Sequence, residues 1–313
     1  MVTIMGLLYS SVFYQFDVRD VNVVMGTLFA AVLFLTLGQY SALPTMMTTR
    51  AIFYKQRSAN YLRSSSYVVS FLVSQIPLAI LETLVFGSLM YWMCGFANSV
   101  LAFVNFEVLL LLTNLCFTGW FLLLSAWAPN MHVVEPVGLV TLLFFVLFAG
   151  FVIFKSQLAD YLVWLYWIDP MAWSMRAVAV NQYRAPQYDT CVYKKLNYCL
   201  LTGGKMNMGQ YFLSLYDMPA EKYWIYYGMV YLIASTVLFL VITTLLLEYR
   251  RHEAPENHDS VAHADMLAEE ADEEKEKDAK ATTGSHAATD TAIGVSVARE
   301  KNFVPVTLAF KDL

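Results

Sequence analysis

The sequence predicts an all-α, polytopic membrane protein: a bundle of about six transmembrane helices with a long exofacial loop and a disordered cytosolic tail. Three observations carry that expectation. Of 313 residues, 58% are hydrophobic and only 14% charged, whereas soluble domains hold roughly 25% charged residues. Several long stretches contain at most one charged side chain each, and a bilayer-spanning helix needs ~20 apolar residues. The charge is also segregated. Twelve of the 25 acids lie between Glu253 and Asp290, so the net charge of -5 is a property of the tail. The rest is nearly neutral and offers no basic footprint for nucleic acid.

Residues 1–16 are apolar but short for a span, and no basic segment precedes them as in a signal peptide. They are expected to be the end of a truncated first helix. The stretch 21–49 is uncharged and at ~1.5 Å per residue is long enough to cross a ~30 Å core. A short amphipathic connector follows, with Arg50, Lys55, Arg57 and Arg63 at one membrane face. Basic residues in short connectors mark the cytosolic side.

The next span, 65–96, contains Pro77, expected to kink it, and Glu82, a rare acid at membrane depth. Span 101–127 carries Glu107 near its start. Pro129 and Pro136 are expected to bracket a tight turn before span 137–154. Residues 155–222 cannot form one span. They open with Trp164, Tyr166, Trp167 and Trp173 around Asp169-Pro170, and such aromatics favour the membrane–water interface. A re-entrant or interfacial helix pair is expected there, then a polar loop. Span 223–247 is closed by Arg250 and Arg251.

Alternate crossings from a cytosolic connector put Asn98 outside, Pro129 inside, the 155–222 loop outside and Arg251 inside. Lys194, Lys195 and Lys205 in the loop weigh little, because long loops are weak topological votes. Cys191 and Cys199 would then face an oxidising compartment and could pair, although two free thiols fit the same spacing. Residues 252–301 are poor in aromatics and rich in Glu, Asp, Lys, Ala and Thr, the composition of an acidic disordered linker. Residues 302–313 regain apolar alternation, like the first strand of a following domain.

Sites for chemistry are missing. No GxxxxGK[ST] loop occurs, and no His, Cys or acid cluster has metal-ligand spacing. No cofactor and no enzyme activity are expected within the chain. Gly26, Ala30, Gly87, Gly119 and Gly150 are expected to allow close helix approach.

Several stretches together resemble the membrane domain of G-subfamily ABC transporters of the pleiotropic drug resistance type, an ABC-2 (type V exporter) helix bundle. Arg50-Ala51-Ile52-Phe53-Tyr54-Lys55-Gln56 resembles that family's E-R-x-x-F-Y-R-E connector. Gln75-Ile76-Pro77, Tyr91-x-Met93-x-Gly95-Phe96 and Phe148-Ala149-Gly150-Phe151-Val152-Ile153 resemble its third and fifth helices. The Trp164 to Trp173 run with Asn181-Gln182-Tyr183 resembles its re-entrant segment, and Phe303 to Leu313 the opening of its nucleotide-binding domain. Thr49 and Gln56 stand where the family has acids, and Glu82 where it often has glutamine.

The resemblance implies a first membrane domain partnered by nucleotide-binding domains, which would hold ATP and Mg, and by a second membrane domain in the same protein or dimer. It implies export of small amphipathic substrates from a multi-pass protein of the plasma membrane. It assigns coupling to Arg50, Phe53, Tyr54 and Lys55, with Phe53 and Tyr54 entering a motor groove and Arg50 and Lys55 pairing with acids. It assigns the substrate path to Phe34, Leu37, Leu143 and Val146. It also assigns an apolar exofacial plug to Phe151 and Val152. Glu82 is a further candidate on its own account, because an acid at membrane depth is costly unless it has a use; it could be hydrogen-bonded to Thr83 or Ser88, protonated, or wet. Interfacial anchoring of the connector and plain lipid-facing packing are the competing readings of these residues. Two other functions fit the sequence: a lipid or glycan permease of the same fold, or a channel or receptor-like membrane protein.

Overall fold

In the computed structural model, residues 2–17, 20–193, 196–201 and 206–250 are described. They lie within one compact unit, Met1–Ala254. The expected linker 252–301 and strand onset 302–313, and loop residues Lys194, Lys195 and Lys205, lie outside the described residues. The described fold is nearly all helical. It comprises α1 (Val2–Val12), α2 (Val21–Tyr40), α3 (Leu43–Ser58), α4 (Ser64–Cys94), α5 (Val100–Trp127), α6 (Met131–Phe148), α7 (Val163–Ile168), α8 (Pro170–Tyr183), a small hairpin of β1 (Val192–Tyr193) and β2 (Leu196–Asn197), α9 (Tyr198–Leu201), α10 (Met208–Ser214) and α11 (Trp224–Tyr249). Among the described residues, five helical stretches are long and apolar enough to cross a bilayer.

The helix α5 is the hub. It packs against α2, α3, α4, α8 and α11, and Phe106, Leu109, Phe117 and Phe121 along it are buried. Polar side chains in these helices turn back on their own backbone. Thr36, Thr113 and Thr236 donate to the carbonyls four residues earlier, which satisfies a hydroxyl where no water can. The outer faces are apolar instead. On α11, Val230, Ile233, Val237, Val241 and Leu245 are exposed at spacings of three and four, a stripe suited to lipid.

The helix bounds refine the sequence reading in two places. The uncharged run 21–49 is not one helix. It breaks at Ser41-Ala42, and Pro44 opens α3, a position where proline costs nothing because its missing N–H is unneeded. The connector is therefore the second half of a helix that starts at Leu43. The span expected at 137–154 is α6, shifted towards the N-terminus. It begins at Met131, incorporates Pro136 and stops at Phe148, so the tight turn is confined to Ala128–Asn130. Val134 and Gly138, buried against the bundle, extend the helix through the proline.

Helices α8 and α11 approach closely at Gly228, where an added Cβ would lie 2.5 Å from Ala177 Cβ and 3.3 Å from the Trp173 carbonyl. Both are fixed parts of α8, so a side chain must push the helices apart. Gly228→Val is expected to destabilise the protein by about 1–3 kcal/mol, read as a lower apparent melting midpoint in detergent. An unchanged midpoint would mean that the α8–α11 contact can dilate freely.

Candidate functional site

The bundle has two ends. At one, α3 meets the C-terminal ends of α5 and α11 and the start of α4. At the other, α8 and the 155–222 segment cover the ends of α2, α4 and α5. The residues singled out by sequence fall at both ends and along the α2–α6 side.

At the connector end, α3 is clasped to the bundle by one face. Arg50 is only 6% exposed. Its guanidinium donates to the carbonyls of Ser125, Ala128 (2.6 Å) and Pro129 (3.2 Å). Those carbonyls end α5, where the helix dipole favours a cation. Phe53 is 1% exposed and stacks on Tyr67 of α4 at 4.4 Å. The Tyr54 hydroxyl donates to the Arg250 carbonyl at 3.2 Å. Arg57 donates to the Leu247 carbonyl (2.5 Å) and the Ser64 hydroxyl (2.8 Å) and pairs with Glu248 at 2.9 Å. A cleft of about 850 Å³ opens beside it, between Tyr54, Arg63, Ser64 and Tyr249.

This geometry corrects part of the connector reading. Positions 50, 53, 54 and 57 recur at helical spacing and form the inner face. The opposite face, Ala51, Ile52, Lys55 and Gln56, is exposed. Arg50 therefore bonds to backbone carbonyls of its own chain rather than to outside acids, and Phe53 fills an internal gap rather than an external groove. Of the four expected coupling residues, Lys55 is the one fully presented outward. Arg57, which the sequence marks only as a basic residue at the membrane face, is the tie between α3, α4 and α11.

Within the bundle a polar network crosses three helices. Glu82 Oε2 on α4 accepts from Gln39 Nε2 of α2 (3.5 Å) and Asn114 Nδ2 of α5 (3.3 Å). The Thr118 hydroxyl donates to Gln39 Oε1 at 2.9 Å. The expected partners Thr83 and Ser88 bond instead to carbonyls of their own helix. Buried carboxamides at membrane depth could have pointed to these partners from sequence. Glu107 is a second buried acid. It packs against Gly87, where an added Cβ would fall 2.5 Å from Oε1, and neither of its carboxylate oxygens has a hydrogen-bond partner among the described residues.

Along α2, Phe34 and Leu37 are half-buried. On the neighbouring α6, Val146 is half-buried and Leu143 exposed. The two helices meet near Gly138, which faces Tyr40 and Leu43, and the Tyr40 hydroxyl donates to the Glu135 carbonyl at 3.2 Å. Beyond α6 the chain turns at Gly150, whose φ of +83° and 2.9 Å approach to Tyr166 leave no place for a side chain. The turn delivers Phe151 between Phe29 (ring centroids 4.7 Å) and Tyr216 (6.1 Å), both stacked. Val152 beside it is exposed.

At the loop end, every residue of α8 is buried except Trp173, which is half-buried. Asp169 caps the helix by accepting from the Met171 N–H at 2.8 Å. Burial pushes its carboxyl well above the usual range, against the pull of the Met171 and Ala172 N–H groups and the Arg176 charge. The Asn181-Gln182-Tyr183 motif is structural. Asn181 donates to the Ala102 carbonyl (2.7 Å), Gln182 accepts from the Ala97 N–H (3.3 Å), and the Tyr183 hydroxyl donates to the Val21 carbonyl (3.3 Å). Arg176 was missed by sequence reasoning. It sits among four aromatic rings, three of them from residues already singled out as interfacial.

Cys191 and Cys199 are disulfide-bonded across the β1–β2 hairpin. Buried Cys94 and Cys116 are free. A maleimide reagent is expected to label neither Cys191 nor Cys199 in folded protein until a reductant is added. Labelling of both without reductant would refute the bridge.

Comparison with known proteins places this geometry. Residues 1–183 match the family described as ABC-2 type transporter. ABC transporter G family member 2 of Dictyostelium discoideum is 32% identical over 187 residues, 59% of this chain and 14% of that protein. ABC transporter G family member 31 of Arabidopsis thaliana is 27% identical over 253 residues, and Pleiotropic drug resistance protein 1 of Nicotiana tabacum 26% identical over 253 residues. Each of those matches covers 79% of this chain and 17% of the relative. The chain thus corresponds to about one sixth of the length of these relatives.

Proposed function

Since the chain belongs to the ABC-2 type transporter family, we propose that it lines one side of the translocation path of an ATP-driven exporter of amphipathic or hydrophobic small molecules. The family relation itself makes it a membrane transport component; work with nucleotide-binding domains is part of the proposal. Pleiotropic-type export at the plasma membrane, and pairing with a second membrane domain, are the finer parts of the proposal.

The observation that carries it is the two-faced connector. The inner face of α3 is bonded to α4, α5 and α11, so a push on the outer face is transmitted to three spans at once. We assign Lys55 to contact with the motor, and Arg50, Phe53 and Tyr54 to passing the movement inward. Phe34, Leu37, Leu143 and Val146 would offer the substrate an adaptable apolar wall. Phe151, stacked between two rings, and Val152 would close its outer end. Glu82, bonded across three helices, would sense their relative movement.

The test is efflux of a fluorescent amphiphile from cells expressing the full reading frame, with a variant disabled at its ATP site as control. Faster ATP-dependent loss of dye supports export. Equal retention in both removes it. Within that assay, Glu82→Gln keeps an oxygen acceptor for Gln39 and Asn114 and loses only the charge. Efflux is expected to fall about two- to threefold, the size of a partly weakened hydrogen bond, with expression intact. Unchanged efflux would remove any role for the charge.

A further inference from the structure

Arg176 is 1% exposed, and its guanidinium carbon lies 4.8 Å from the ring centre of Tyr166, 4.6 Å from Trp167, 4.7 Å from Trp173 and 5.3 Å from Trp224. Rings stabilise a cation through their faces, but they supply no acceptor in the plane of the fork. None of the three guanidinium nitrogens has a hydrogen-bond partner among the described residues. Arginine carries five N–H donors and does not shed its charge. The buried Asp169 acts on Arg176 through its charge but makes no hydrogen bond to it, and a buried charged group without hydrogen bonds is costly, so the fork lacks an in-plane acceptor.

A cavity of about 250 Å³ reaches Arg176 and is lined also by Lys155, Trp167, Asp217 and Trp224. Lys155 Nζ stands 5.0 Å above the Trp167 ring, so two cations share one aromatic wall. One oxygen of Asp217, the acid lining the cavity, is engaged: Oδ2 accepts from the Ser156 N–H (3.3 Å) and the Ser156 hydroxyl. The cavity is smaller than the roughly 300–1,000 Å³ of drug-sized sites. It suits a head group or a small anion rather than a whole amphiphile.

We propose that this cavity is an oxyanion site of the phosphate class, in which Arg176 supplies the fork and Lys155 the second charge. Arginine matches phosphate by parallel N–H bonds, and a neighbouring lysine adds a point charge. The same chemistry is offered by the head group of a phospholipid and by free phosphate. The inference goes beyond the export reading and stands whether or not the chain exports.

Trp167 and Trp224 line the cavity and Trp173 faces the Arg176 guanidinium, so tryptophan fluorescence reports occupancy. Full-length protein in an uncharged maltoside detergent is titrated with inorganic phosphate, with chloride at equal ionic strength as control. A saturable change with phosphate alone is expected. It should vanish in Arg176→Gln, and its midpoint should rise about tenfold in Lys155→Gln, the value of one charge-assisted bond. Because Lys155 is only half-buried, its variant keeps the test decisive if Arg176→Gln fails to fold. A response no different from chloride, or one that Lys155→Gln leaves unaltered, overturns the proposal. Nanodiscs identify the source. Loss of the phosphate response in phospholipid discs, with retention in galactolipid discs, assigns the site to a lipid head group; retention in both assigns it to free phosphate.

Discussion

Arg50→Ala is expected to lower the apparent melting midpoint of detergent-extracted protein by roughly 6–20 °C. The substitution strips hydrogen bonds from three carbonyls, those of Ser125, Ala128 and Pro129. Each buried carbonyl left bare costs about 1–3 kcal/mol, so a total near 3–5 kcal/mol is reasonable. A domain of this size shifts by about 2–4 °C per kcal/mol. Arg50→Lys should recover only part of the loss, because a single ammonium cannot reach three divergent acceptors. Efflux should fall with stability in both variants. A midpoint within a degree of the parent for Arg50→Ala would show that water replaces the guanidinium and that the clasp holds nothing.

Lys55→Glu should do the opposite. Its side chain is exposed and makes no hydrogen bond or ion pair among the described residues, so the midpoint should stay where it is. If the outer face of α3 meets the motor, charge reversal turns an attraction into a repulsion, and transport should drop at least about tenfold, or 1.4 kcal/mol. ATP hydrolysis by the intact protein would continue without matching efflux. Full transport by Lys55→Glu would dismiss this face as the point of contact. The two variants separate what holds the connector from what the connector touches.

Much of this was legible in the sequence. Uncharged stretches long enough to cross a bilayer have one stable solution in lipid, so the membrane helices could be placed from composition alone. The break before Leu43 was hidden because the run 21–49 is uncharged throughout; the clue was Pro44, which reads as a helix start only once a break is suspected. That Arg50, Phe53, Tyr54 and Arg57 share one face of the connector was available from their spacing. What could not be read was which face the bundle would claim, since a basic amphipathic helix can turn its arginines either way. Glu82 stood out as an acid, and Gln39 and Asn114 were legible as carboxamides at membrane depth, but the three lie on three helices and only the packing pairs them. Arg176 was obscured for a related reason. A lone arginine after a run of tryptophans gives no sign that four rings will converge on it from α7, α8 and α11.

The buried helix α8 also constrains how the protein is made. Fourteen residues extend about 21 Å, too little to cross a bilayer, so lipid partitioning cannot retain this segment during synthesis. Its bonds reach back to Val21, Ala97 and Ala102, while Gly228 and Tyr231 on the far side are translated some fifty residues later. The packing of this short helix is therefore complete only once α11 is in place. A chain arrested ahead of Trp224 would leave it half-seated, a form that cellular quality control should recognise and degrade.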